Sequence, residues 1–185
     1  AVGMTFVILS GGIDLSVDSV IAFTGVFLAV GMGEWGIPPV AAIGLLLVIV
    51  TLFGAIMGAM IHYLEMPAFI VTLAGMFFAR GMAFLVSTES VPINAPLYDA
   101  LHDIYWRMPG GGRLTFVGMV MLAVFAAGIL IAQRTRFGRN VYALGGNRQS
   151  AELMGVPVAR TTVSVYALSG FLAGVSGIVF SLYTS

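Results

Sequence analysis

The sequence predicts an all-α, polytopic bundle of transmembrane helices with a broken or re-entrant helix near its N-terminus. Three observations carry that prediction. Of 185 residues, 59% are hydrophobic and 9% charged, with a mean hydropathy of +1.05, whereas a soluble domain carries about 25% charged residues. Four apolar runs, 38–61, 67–86, 114–132 and 161–183, reach the roughly 20 residues a helix needs to cross a hydrocarbon core about 30 Å thick. A fifth, 17–32, is shorter and follows a Gly-Gly pair and a carboxylate. Only helices or closed barrels satisfy the backbone in lipid, and nothing here alternates with the period of two that a barrel strand needs.

The first run, AVGMTFVILS, ends at Gly11 and Gly12, and Asp14, Ser16, Asp18 and Ser19 follow at once. Glycine pairs interrupt helices, and these polar residues are the types that cap one. As a helix, 17–32 would span about 24 Å, so the polar break is expected within or just beneath the bilayer. Irregular backbone at that depth survives only when protein buries it or it lines a water-filled cavity. Broken helices with exposed ends are a transporter device. Two compatible readings therefore stand for Asp14 and Ser16: a helix cap near the membrane surface, or the lining of a pathway.

Pro38 and Pro67 sit at the start of their runs, where the first helical turn tolerates proline. In the run from Pro67, Arg80 falls about 20 Å along the helix. It either faces the bundle interior or a cavity, or snorkels to the outer headgroups. Gly54-x-x-x-Gly58 and Gly170-x-x-x-Gly174 have the spacing that lets membrane helices approach closely.

Arginine placement sets the expected orientation. The segment 133–160 carries Arg134, Arg136, Arg139, Arg148 and Arg160 against Glu152 alone, whereas 87–113 carries Arg107 and Arg113 against Glu89, Asp99 and Asp103. Thus 133–160 is expected in the cytoplasm and 87–113 outside, the latter as a small lid, an interfacial segment or a solvated linker. Within 133–160, Asn147 reads as an N-cap, 148–154 as two helical turns, Gly155 as the residue just past the helix and Pro157 as its stop. Such a punctuated helix suits docking of a soluble partner, with Ala151 and Met154 on one side and Arg148 and Glu152 flanking. It equally suits an ordinary connector.

Charge and composition exclude several functions. Eight Arg and no Lys balance eight acidic residues, so there is no basic face for nucleic acid. Without Lys the chain has no P-loop of its own, and without Cys it has no thiol catalysis or thiolate metal site. No cofactor is expected on this chain, and no His, Asp and Glu spacing resembles a metal-ligand set. GMGEWG at 31–36 matches G-x-G-x-x-G only literally, because it follows a membrane helix and meets Pro38-Pro39. GVSG at 174–177 would suit an intramembrane serine hydrolase built on Ser176, but His62 and His102 are expected in a turn and a loop, away from it. Carboxylates beside a helix break also fit an ion-coupled secondary transporter.

Three tracts carry a resemblance: GMTFVILSGGIDLSVDS, MPAFIVTLAGMFFARG and TRFGRNVYALGGNRQSAELMGV. Together they resemble the permease subunits of bacterial ABC importers for monosaccharides, the ribose-type family. PAFIVTLAGMFFARG, VPINAPLYD and PGGGRL bring the chain nearest to permeases for galactofuranose. At Asp18 it departs from the glycine usual in that family. The resemblance implies one permease domain over 1–185 in the bacterial inner membrane, and the chain's start inside the apolar run AVGMTFVILS and its stop at SLYTS predict that it is truncated at both ends. It implies a second permease, identical or related, a cytoplasmic ATP-binding subunit that holds ATP and Mg, and a periplasmic sugar-binding protein. It places Gly138, Arg139, Asn140, Gly145, Gly146, Asn147, Ala151 and Gly155 in the cytoplasmic coupling segment, and Gly12, Asp14, Leu15 and Ser16 in the broken helix beside the pathway. With Asp18 and Arg80, these are the candidate functional residues.

Overall fold

The computed structural model describes residues 1–88, 105–107 and 113–184. In chain order the elements are α1 (Val2–Leu9), α2 (Val17–Gly33), α3 (Pro39–Tyr63), α4 (Ala68–Val86), β1 (Tyr105–Arg107), β2 (Arg113–Thr115), α5 (Phe116–Arg134), α6 (Arg136–Gly146), α7 (Arg148–Leu153) and α8 (Val158–Thr184). Among the described residues α3, α4, α5 and α8 are long and apolar enough to cross a membrane, and α2 is a shorter apolar helix. The helical bundle read from the sequence is therefore present.

Two elements were not anticipated. An antiparallel pairing of β1 with β2 sets Trp106 opposite Leu114; Tyr, Trp and Thr suit a pleated strand better than a helix. Most of the 87–113 segment, His102 included, lies outside the described residues. The second is α6, treated below.

Prolines start α3 and α4 as expected: Pro38 and Pro67 are N-caps with extended backbone, and Pro39 opens α3. The largest packing surface is the antiparallel contact of α3 with α8. Its seam is the pair of small-residue motifs. Gly54 and Gly170 face the partner helix's backbone, at Tyr166 and Val50 respectively, and a Cβ on Gly58 would lie 2.9 Å from Val163 Cα. In lipid, no hydrophobic effect drives two apolar helices together, so close backbone approach supplies much of the attraction.

Around this seam lie two apolar clusters. Val20, Phe27, Leu28, Leu46, Val50, Ala79 and Ala173 join α2, α3, α4 and α8. Phe6, Val7, Met57, Val71, Val141, Val165 and Tyr166 join α1, α3, α4, α6 and α8. Helix α5 is the loosest member: Gly128 is its buried residue, against Val2. An apolar cleft of about 510 Å³ opens among α1, α2, α5 and α8.

Candidate functional site

Two groups of residues stand out: a polar layer at the helix break, and the arginine-rich end of the bundle.

The polar layer starts where α1 ends. Gly11 has φ +79°, a left-handed conformation that glycine adopts without steric cost. Gly11 N bonds to Ile8 O and Gly12 N to Val7 O, each at 2.9 Å, the paired bonds of a Schellman cap. Gly12 is also tight, because a Cβ there would come within 2.6 Å of the Tyr166 hydroxyl. That hydroxyl donates to Ile13 O at 3.2 Å, tying the break to α8.

Asp14 is the anchor. Its Oδ1 accepts from Ser16 N at 3.0 Å and Ser16 Oγ at 2.7 Å, and its Oδ2 accepts from Ser169 Oγ of α8 at 2.7 Å. The carboxylate is 4% exposed. Both oxygens thus serve protein donors, pinning the start of α2 against α8. Ser169 was not singled out from the sequence; its signal would have been a hydroxyl inside an apolar span that holds a small-residue motif. It lies eleven residues past Val158, about 16 Å along α8 by helical rise. Ser19 Oγ in the first turn of α2 is buried without a hydrogen-bond partner among the described residues.

These two serve a paired test in the full-length permease. Asp14→Leu leaves two buried hydroxyls and an amide without their acceptor and should cost about 3 kcal/mol. Ser19→Ala removes a desolvated orphan and should be neutral or stabilising by about 1 kcal/mol. Thermal unfolding in detergent reads both, and equal losses in the two variants would contradict the anchor.

In the first turn of α2, Asp18 Oδ2 lies 3.5 Å from Arg80 Nη2 of α4. Arg80 therefore reaches from α4 to a carboxylate of α2. The structure brings Asp18 and Arg80 together on an open face and gathers Gly12, Asp14 and Ser16 into the buried anchor nearby.

The arginine-rich end is built on α6 and α7. Thr135 caps α6 by accepting from Gly138 N at 3.1 Å, and Gly138 allows the α5 to α6 turn because its Cα packs on Ala132 O. Gly138, Val141 and Leu144 are buried while Arg136, Arg139 and Tyr142 are exposed. Phe137, Val141 and Leu144 at i, i+4 and i+7 were the available signal for this amphipathic helix. Asn147 caps α7 as expected, accepting from Ser150 N at 2.8 Å. Gly155, at φ +79°, closes it through Gly155 N to Glu152 O and Val156 N to Ala151 O, both 3.0 Å.

One detail differs from the sequence expectation. Ala151 is buried, because it faces the bundle and accepts the closing bond; Leu153 and Met154, at 90% and 71% exposure, form the outward apolar pair. Arg148 and Glu152 are exposed. Arg148 Nη2 donates to His62 Nδ1 at 3.2 Å, which puts the α3 to α4 turn on the same end of the bundle. Gly145 packs on the Leu9 carbonyl, so α6 touches the break directly. Asn140 is part-buried on α6, and Gly146 exposed at its end. Ser176 lines the apolar cleft, far along α8 from the end that holds His62, and His102 lies outside the described residues.

Comparison with known proteins adds the following. The family model described as "Branched-chain amino acid transport system / permease component" matches residues 1–185. The inner membrane ABC transporter permease protein YjfF of Escherichia coli is 61% identical over 184 residues, covering 100% of this chain and 56% of that protein. The fructose import permease protein FruG of Bifidobacterium longum is 38% identical, covering 98% and 55%. The ribose import permease protein RbsC of Haemophilus influenzae is 40% identical, covering 97% and 55%. The chain thus spans about half the length of these relatives. No solved structure matches it.

Proposed function

We propose a function from one premise: this chain belongs to the family described as the branched-chain amino acid transport system permease component. In this reading it is permease material of an ATP-driven (ABC) importer in the bacterial inner membrane, crossing it several times. Its cargo is a monosaccharide, with galactofuranose the specific candidate. The observation that carries the reading is similarity along the whole chain to permeases named for ABC transport and for fructose and ribose import.

The residues take the following parts. ATP and Mg reside on a partner ATP-binding subunit, a second permease completes the conduit, and a periplasmic protein delivers the sugar. The cytoplasmic segment 133–160 receives the motion of the ATP-binding subunit through Arg148, Glu152 and the exposed Leu153 and Met154. Arg139, Asn140, Gly145, Gly146, Asn147, Ala151 and Gly155 shape that segment. Two contacts hand the motion on: Gly145 against Leu9 leads to the break at Gly11 and Gly12, and Arg148 with His62 leads to α3. The anchored break, with Gly12, Asp14 and Ser16, then moves with α2, and a two-state rearrangement of this kind gives alternating access.

An ion-coupled secondary transporter is the second reading, favoured by the exposed charge pair in the first turn after the helix break. Affinity purification of the full-length subunit from its native membrane decides between them. The ABC reading expects stoichiometric recovery of an ATP-binding subunit carrying a P-loop. Recovery of a functional transporter without one contradicts it.

A further inference from the structure

The address of the Asp18 and Arg80 pair is informative. Arg80 lies about 18 Å along α4 from Ala68 by helical rise, near the middle of a hydrocarbon core. Yet the two side chains are 85% and 52% exposed and share a single 3.5 Å contact. The guanidinium has five donors, and the carboxylate keeps most of its lone pairs uncovered. Lipid satisfies none of these groups, so ionised side chains at that depth face water or protein.

The surroundings of the pair are aromatic on one side and open on the other. Phe77 and Phe84 stand three residues before and four after Arg80, positions that adjoin it on a helix surface, at 62% and 64% exposure. Between them, nothing lies within 4 Å of where a Gly81 side chain would begin, and the same holds at Gly25 of α2. Ala22, one turn beyond Asp18, is exposed. The result is a shelf on the exposed faces of α2 and α4, along which a carboxylate, a guanidinium and two phenyl rings follow one another.

Each component matches one feature of a sugar. A carboxylate accepts from neighbouring hydroxyls, and a guanidinium donates to hydroxyl or ring oxygens. The electron-rich face of a phenyl ring attracts the polarised C–H face of a furanose or pyranose. A purely apolar solute leaves the charges unused, and a small inorganic ion leaves the rings unused.

We propose that Asp18, Arg80, Phe77 and Phe84 form a weak, water-facing subsite for a polyhydroxylated solute of monosaccharide size. The proposal rests on the permease reading above and adds the residues that contact the cargo. A single long ion pair suits the task, because hydroxyls can enter it without dismantling a network. Weak binding also lets the solute leave, as a conduit requires.

The test uses the full-length permease assembled with its ATP-binding and sugar-binding subunits. This chain has no cysteine, so Ala22→Cys and Gly81→Cys each place one thiol in its part of the shelf without touching the four proposed contacts. Both should react with a charged, membrane-impermeant thiosulfonate, whereas Leu52→Cys, on the apolar exposed strip of α3 at 56% exposure, should not. D-Ribose, D-fructose and D-galactose are added singly, and at least one should slow the shelf reactions about tenfold. Asp18→Asn or Phe84→Ala should abolish that protection and raise KM for uptake about tenfold with kcat held, in line with loss of a charge-assisted hydrogen bond; Phe84→Trp should restore both. Unreactive shelf thiols, or reactivity indifferent to all three sugars, overturn the subsite. A wild-type complex that imports none of the three overturns the monosaccharide reading instead.

Discussion

Replacing Gly54 with leucine is expected to abolish recovery of folded permease. The Gly54 position abuts the Tyr166 carbonyl, and its neighbours include Ala167 Cα at 3.2 Å from a built Cβ. These are backbone atoms of α8, so no rotamer change can make room. The clash falls on Tyr166 itself, whose hydroxyl bond to Ile13 O helps to hold the break, so displacing it would disturb that bond as well. A loss of about 4 kcal/mol or more follows, at the extreme of single substitutions. Gly44→Leu on the same helix meets open space and should leave folding intact. Size-exclusion profiles and thermal unfolding in detergent compare the two, and equal behaviour would contradict the close-packed seam.

The second large effect is expected at the exposed apolar pair of α7. Leu153→Asp together with Met154→Asp should leave the permease folded, because both side chains are surface-exposed and the Asn147 and Gly155 caps that define the helix are untouched. Burying two carboxylates in an apolar partner pocket is costly, so the complex with the ATP-binding subunit should weaken by 100-fold or more, about 3 kcal/mol. Ala151→Asp would not discriminate, since Ala151 is fully buried in this fold and the variant would simply misfold. Co-purification and ATP-driven uptake read the effect, and full retention of both would remove α7 from the coupling surface.

Much of this architecture was legible in the sequence because lipid imposes simple rules. Length and apolarity give the spans. Pro38, Pro67, Asn147 and Gly155 mark ends through their own backbone chemistry, and the two small-residue motifs met each other across α3 and α8. Elements that depend on tertiary contacts were harder to read. Helix α6 hides among arginines, because its apolar face is only three residues wide and the surrounding charge reads as a loop. Asp18 and Arg80 were each visible as misplaced charges, yet their pairing joins residues 62 apart in sequence. The link from Arg148 to His62 spans 86. Asp14 was legible as a polar residue at the break, but α2 has no side-chain cap bond, and the partner that ties Asp14 to α8, Ser169, lies 155 residues away. Ala151 was placed outward because a six-residue helix is too short for its periodicity to reveal the buried face.

The central claim is that this chain conducts a sugar with force supplied by a separate ATP-binding subunit. Uptake of a radiolabelled monosaccharide into proteoliposomes tests it most directly, using the full-length permease with its partner subunits, ATP on the nucleotide-binding side and ionophores that collapse every ion gradient. The account predicts uptake that persists under the ionophores and stops when ATP is withdrawn. Uptake that needs no ATP and vanishes with the ion gradients would contradict it.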